Sequence, residues 1–123
     1  MIRVVLVDDQ ALFRAGIRML VASQPDREVV GEAGDGKEAL DVVRMTRPDV
    51  VLMDIRMPVM DGLTATQRIR SDGRWGNLPI LMLTAKAMPD DQERCLAAGA
   101  NDYMAKPLDV DKLLSLFRVW MPR

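Results

Sequence analysis

The chain has one cysteine, almost no net charge and no long apolar run, and each shortage removes a class of protein. Cys95, alone among 123 residues, cannot form an internal disulfide, which fits a reducing compartment. Seventeen basic residues against eighteen acidic ones leave a net charge of −1, so there is no electrostatic footprint for nucleic acid or an anionic membrane. No apolar stretch approaches the ~20 residues that span a bilayer. The N-terminal MIRVVLVDD runs directly into an acid-bearing strand pattern, unlike a secretory leader. Internal repeats, low-complexity tracts and linkers are all lacking. With 49% hydrophobic residues to build a core, the expectation is one soluble, cytoplasmic domain over residues 1–123.

What the chain does contain is alternation. Short apolar runs occur at Ile2 to Val7, Glu28 to Val30, Val50 to Met53 and Ile80 to Leu83, with a weaker one around Asp102 to Met104. Helix-period segments separate them: Phe13, Gly16, Ile17 and Leu20 share one helical face, and Val110, Leu113, Leu114 and Phe117 another. Asp35 with Glu38 resembles a capping box for the second helix, and Asp61 and Asp109 are placed to cap the third and fifth. Pro89 suits the first turn of the fourth. Five βα units predict an α/β fold, a doubly wound (βα)5 parallel sheet covered by helices on both faces. "SDGRWGN" (71–77) is the most loop-like segment, with Trp75 exposed or half-packed.

The stretch "RPDVVLMDIRMP" (47–58) holds the first chemical clue, because a buried strand pattern ends on Asp54. An unpartnered buried carboxylate is costly. In parallel sheets of this kind, however, ligands bind at the carboxyl ends of the strands, beside the point where strand order reverses. Asp8 and Asp9 end the first strand, Thr84 follows the fourth and Lys106 the fifth. Each residue alone would be a turn, cap or surface residue. Together they set three carboxylates, a hydroxyl and an ammonium on one rim. Three carboxylates so placed resist ionisation unless a cation joins them. All-oxygen ligands suit Mg²⁺, which keeps waters and leaves room for a phosphoryl group. A carboxylate can act as nucleophile toward phosphorus, while cations and a hydroxyl neutralise the equatorial oxygens.

Two other motifs carry less. Gly31 to Lys37 is G-x-x-x-x-G-K, but Glu38 follows where a phosphate-binding loop needs Ser or Thr, so a turn capped by Asp35 is expected. The ten methionines mostly lie among apolar neighbours, which favours core packing over a pliable binding surface.

The same residues carry a family resemblance. "VLVDD" (5–9), "VLMDIRMPVMDG" (51–62), "LTA" (83–85), "GANDYMAKP" (99–107) and the closing amphipathic helix resemble, in order and over nearly the whole chain, the receiver domains of two-component response regulators. The resemblance implies a flavodoxin-like sheet of order 2-1-3-4-5. It implies a phosphoacceptor at Asp54 and Mg²⁺ held by Asp9, Asp54, the backbone carbonyl of Arg56 and, through water, Asp8. It implies phosphoryl contacts from Thr84 and Lys106, a switch pair of Thr84 and Tyr103, and a cis bond at Lys106–Pro107. Arg56 and Lys86 match positions that tune the lifetime of the phosphorylated form. The chain has no histidine, so the donor would be another protein or domain, a histidine kinase or histidine phosphotransfer protein. A changed face made by the fourth helix, fifth strand and fifth helix and a phosphorylation-dependent homodimer are the implied outputs, with no contact to nucleic acid or membrane by this domain.

Two readings from other classes compete. A phosphatase with an aspartate nucleophile would place a second acid two residues after it, where this chain has Arg56, and would carry a cap-sized insertion, which is lacking here. A degenerate interaction module would lack one of the polar rim residues, and none is missing. Within the resemblance, residues 1 to about 57 are similar to receivers preceding helix-turn-helix domains, and the rest to receivers of hybrid histidine kinases. One natural receiver with mixed features and a recombined or engineered domain joined after the third strand both fit. In the family, donors dock beside the first helix, so exposed residues there, such as Arg14 and Arg18, are expected to govern donor choice.

Overall fold

A computed structural model describes residues 1–84, 90–106 and 110–120. Its strands are β1 (Ile2–Val7), β2 (Arg27–Ala33), β3 (Val50–Asp54), β4 (Ile80–Thr84) and β5 (Asp102–Ala105). Its helices are α1 (Ala11–Ala22), α2 (Gly36–Thr46), α3 (Gly62–Ser71), α4 (Asp91–Ala98) and α5 (Val110–Trp120). The strands are parallel in the order β2-β1-β3-β4-β5, as expected. Among the described residues, no helix is long and apolar enough to cross a membrane.

Two-residue periodicity divides the strands between two cores. Val5, Val7, Val51, Met53, Ile80 and Met82 pack with Ala39 and Val43 of α2, Ala65 and Ile69 of α3, and Cys95 of α4. Val4, Leu6, Val50, Leu52, Leu81, Leu83 and Met104 pack with Ile17 and Val21 of α1 and Leu113 and Phe117 of α5. Burying each large side chain stabilises the fold by about 1.5–3 kcal/mol. The central strands are apolar on both faces because helices cover both.

Asp35 and Asp61 cap α2 and α3, accepting from the N–H groups of Glu38 and Thr64 at 2.8 Å each. The Asp35 cap in the Gly31–Lys37 motif is as expected, but Gly31 to Ala33 belong to β2 rather than to a turn. Pro89 and Asp109 lie outside the described residues, as does the side chain of Val110.

Two expectations need correction, and that of a loop at residues 71–77 with a half-packed Trp75 holds. β2 runs on to Ala33 rather than stopping at Val30, because Gly31 is not a turn. A Cβ there would lie 2.6 Å from a methyl of Val42, so the glycine lets α2 approach the edge strand. Gly16 is exposed and off the inner face of α1, which is formed by Ile17 and Val21 with Phe13 and Leu20 partly packed. "SDGRWGN" contains a 3₁₀ turn, Gly73–Trp75, whose Asp72 accepts from the Arg74 N–H, and Trp75 is half-packed on the core. The methionines divide. Met53, Met82 and Met104 are core, while Met1, Met19 and Met45 are exposed.

Candidate functional site at the carboxyl edge of the sheet

The order β2-β1-β3 reverses direction from β1, so β1 and β3 end side by side where helices leave for opposite faces. Asp8 and Asp9 follow β1 directly, and Asp54 is the last residue of β3. Carboxylate oxygens of all three lie within 4.8 Å of one another. Asp8 and Asp54 are buried, at 2% and 5% exposure, whereas Asp9 faces solvent. Two like unit charges at such a distance repel by roughly 3 kcal/mol at an effective dielectric of ~20, so the cluster calls for positive charge.

Lys106 supplies some of it from β5's end. Its Nζ donates to Asp8 Oδ2 at 2.6 Å and stands 3.5 Å from Asp54 Oδ1, with the side chain only 10% exposed. The Lys106 N–H donates to the Thr84 carbonyl at 2.7 Å, which continues the β4–β5 ladder and fixes where the ammonium starts. Among the described residues, Lys106 is the cation paired with Asp8 and Asp54, and one ammonium does not balance three carboxylates. Burial, with the charges of Asp8 and Asp9, raises the Asp54 carboxyl from its ordinary 3.8 to about 6, with Lys106 pulling the other way.

Asp8 is held on every side. Its N–H donates to the Ala33 carbonyl at 3.0 Å, and its Oδ1 accepts from the Gln10 N–H at 2.8 Å. Its carbonyl accepts from Arg14 Nη1, while Arg14 Nε donates to Glu32 Oε1 at 3.2 Å. The Phe13 ring lies under Lys106, with Nζ 4.1 Å from its centroid, a cation–π contact that steadies the ammonium between ring and acids.

The structure thus gathers Asp8, Asp9, Asp54 and Lys106. Thr84, 1% exposed, ends the adjacent strand, and the alternation along β4 sets it on the same side as Met82, opposite Leu83. Tyr103, paired with Met82 across β4 and β5, is half-buried against that core and lies lower in the sheet. Arg56 stands two residues beyond Asp54 with an exposed side chain. Lys86 and Pro107, with its expected cis bond, lie outside the described residues.

Phe13 and Arg14 were not among the expected site residues. Phe13 keeps helical spacing with Ile17, and nothing in that spacing separates a ring under an ammonium from a ring in a core. Arg14 is corrected outright as an exposed docking residue. Its side chain is 21% exposed and turned to Asp8 and Glu32, whereas Arg18 is 51% exposed.

The donor set fits a magnesium ion on chemical grounds: three convergent carboxylates supply hard oxygens, and Asp54 is left short of compensating charge.

Residues 4–118 match the response regulator receiver domain. The chain is 42% identical over 108 residues to a protein-glutamate methylesterase/protein-glutamine glutaminase of Methanosarcina mazei, covering 86% of this chain and 29% of that protein. It is 38% identical over 122 residues to the response regulator MprA of Mycolicibacterium vanbaalenii, covering 99% of this chain and 51% of that one. The chain thus spans about half or less of these relatives. The CheX–CheY–BeF3–Mg²⁺ complex of Borrelia burgdorferi superposes with a TM-score of 0.88 at 28% identity, over 98% of this chain and 90% of the other. With the fold, the acid cluster and this match in agreement, the chain belongs to the receiver-domain family of two-component response regulators.

Proposed function

We propose that Asp54 is the residue that accepts the phosphoryl group, and that residues 1–123 act as one receiver unit. The carrying observation is the placement of a nearly buried Asp54 beside Asp8, Asp9 and the Lys106 ammonium at the reversal of strand order. Asp9 and Asp54, the backbone carbonyl of Arg56 and, through water, Asp8 would hold Mg²⁺. The ion, when bound, supplies charge neutralisation at the acids and at the transferring phosphoryl oxygens. Asp54 presents its carboxylate oxygen as nucleophile toward phosphorus. Lys106, now bridging Asp8 and Asp54, neutralises a phosphoryl oxygen from the same position. Thr84 offers its hydroxyl to another from the end of β4.

The donor is a histidine kinase or histidine phosphotransfer protein, as the family match supports, and its phosphohistidine lies outside these 123 residues, which hold no histidine. Catalysis by the domain extends no further than its own phosphorylation and dephosphorylation, and its setting is the cytoplasm. The movement of Thr84 toward the phosphoryl group, with a shift of Tyr103, changes the face made by α4, β5 and α5 and favours a homodimer.

The test is intact-mass spectrometry with Mg²⁺ and acetyl phosphate. One labile phosphoryl adduct is expected on the wild type and none on Asp54→Asn, whose amide is neither nucleophile nor anionic ligand. A full adduct on Asp54→Asn overturns the assignment. Sustained turnover of phosphomonoesters would make the protein a phosphatase instead.

A further inference from the structure

We propose that Arg14 is a positioning residue for the acid cluster, a reading that rests on the Mg²⁺ and phosphoryl roles given above. Arg14 sits in the first turns of α1, yet its guanidinium does not go to solvent. One nitrogen, Nη1, donates to the backbone carbonyl of Asp8, and another, Nε, to the Glu32 carboxylate on β2 at 3.2 Å. That carbonyl belongs to the peptide plane joining Asp8 to Asp9. Its orientation fixes ψ of Asp8 and φ of Asp9, the two rotations between the Cα atoms that carry these carboxylates, and so bears on how one is set relative to the other. The strand ladder does not set it, because β1 ends at Val7.

The other polar atoms of Asp8 have partners from elsewhere: Ala33 at the N–H, Gln10 and Lys106 at the carboxylate. Arg14 completes the set at the carbonyl. A planar guanidinium can reach a carbonyl and a carboxylate together in fixed relative directions, whereas a lysine ammonium is a point charge without that geometry. Glu32 in turn orients the guanidinium, and Arg18 shares that carboxylate without touching Asp8. Arg18 is therefore an internal control, with the same helix, the same partner and no contact to the site.

The experiment measures Mg²⁺ affinity by calorimetry on the whole chain, with urea unfolding in parallel, for the wild type, Arg14→Lys, Arg14→Met and Arg18→Ala. Residues that orient metal ligands from behind typically contribute about 10- to 100-fold to affinity. Arg14→Met is expected to weaken Mg²⁺ binding about tenfold or more, with only partial rescue in Arg14→Lys. Arg18→Ala should bind Mg²⁺ as the wild type does. A role confined to the surface ion pair would shift unfolding in both Arg14→Lys and Arg18→Ala and leave Mg²⁺ affinity unchanged in both. That result overturns the proposal, even if Arg14→Met proves too unstable to assay. Wild-type protein that fails to bind Mg²⁺ overturns the metal site itself and this inference with it. Normal wild-type binding with unchanged Arg14 variants overturns the inference alone.

Discussion

A Cβ placed on Gly62 would lie 2.1 Å from the carbonyl oxygen of Asp54. The first residue of α3 is thus pressed against the strand end that carries the proposed nucleophile, with its N–H donating to the Ile55 carbonyl at 2.8 Å. The obstacle is backbone, which cannot swing away as a side chain can. Gly62→Ala is expected to cost about 2–3 kcal/mol in urea unfolding, toward the upper end for overpacking. It should also weaken Mg²⁺ binding, because relief of the clash moves Asp54. Full stability with native Mg²⁺ affinity would contradict this close approach.

Ionised Asp54 lowers the stability of the metal-free protein. Its folded value of about 6 lies above the unfolded 3.8, so the folded state binds the extra proton between those limits. The penalty is complete above about pH 6 and disappears as the pH falls toward 3.8. Asp54→Asn should therefore be more stable than the wild type at pH 7–8 without Mg²⁺, by up to about 2–3 kcal/mol at ~1.4 kcal/mol per unit. Loss of the Lys106 contact reduces that gain. Urea titrations at pH 5 and pH 8 check it, and an advantage that grows toward acid pH would reverse the assigned sign.

Val59 holds a φ of 66° with 80% of its surface exposed. The Met60 N–H donates to the Pro58 carbonyl at 2.7 Å, which makes Pro58–Val59–Met60 a tight γ-turn. A β-branched residue is a poor occupant of positive φ. Val59→Gly and Val59→Asn should each raise stability by about 1 kcal/mol, measured by thermal or urea unfolding. Destabilisation by both would show that the valine methyls contribute something its exposure conceals.

Gly16 lies inside α1, and nothing stands within 4 Å of the place an added methyl group would take. Gly16→Ala should stabilise by about 0.5–1 kcal/mol through the unfolded chain's lost freedom. Mg²⁺ affinity should not change. A loss of stability would mean that α1 bends or packs there in a way its open surroundings do not account for.

The strand pattern, the two caps at Asp35 and Asp61 and the polar rim were all legible in residue order, because each follows from local periodicity or from the end of an apolar run. What escaped depends on neighbours distant in the chain. Gly31 resembles a turn until α2 is laid across it. Arg14 resembles a surface charge until β1 and β2 place a carbonyl and a carboxylate within its reach. The same holds in the β3–α3 loop, where the Gly36 N–H donates to the Met60 carbonyl at 2.9 Å. A Cβ on Gly36 would meet that same oxygen at 2.4 Å. The contact ties the start of α2 to the β3–α3 loop, which sequence order alone does not show.

The ion pair between Asp8 and Lys106 joins residues 98 positions apart. A ribosome delivers Asp8, Asp9 and Asp54 well before Lys106, and β1 and β3 can pair as soon as both have emerged. The growing chain therefore passes through a period in which its acids are assembled without their internal counter-ion. A fragment ending after α4 would keep the carboxylates and lack the ammonium. The acids of the first and third strands thus receive their internal counter-ion only from the end of the last strand of the sheet.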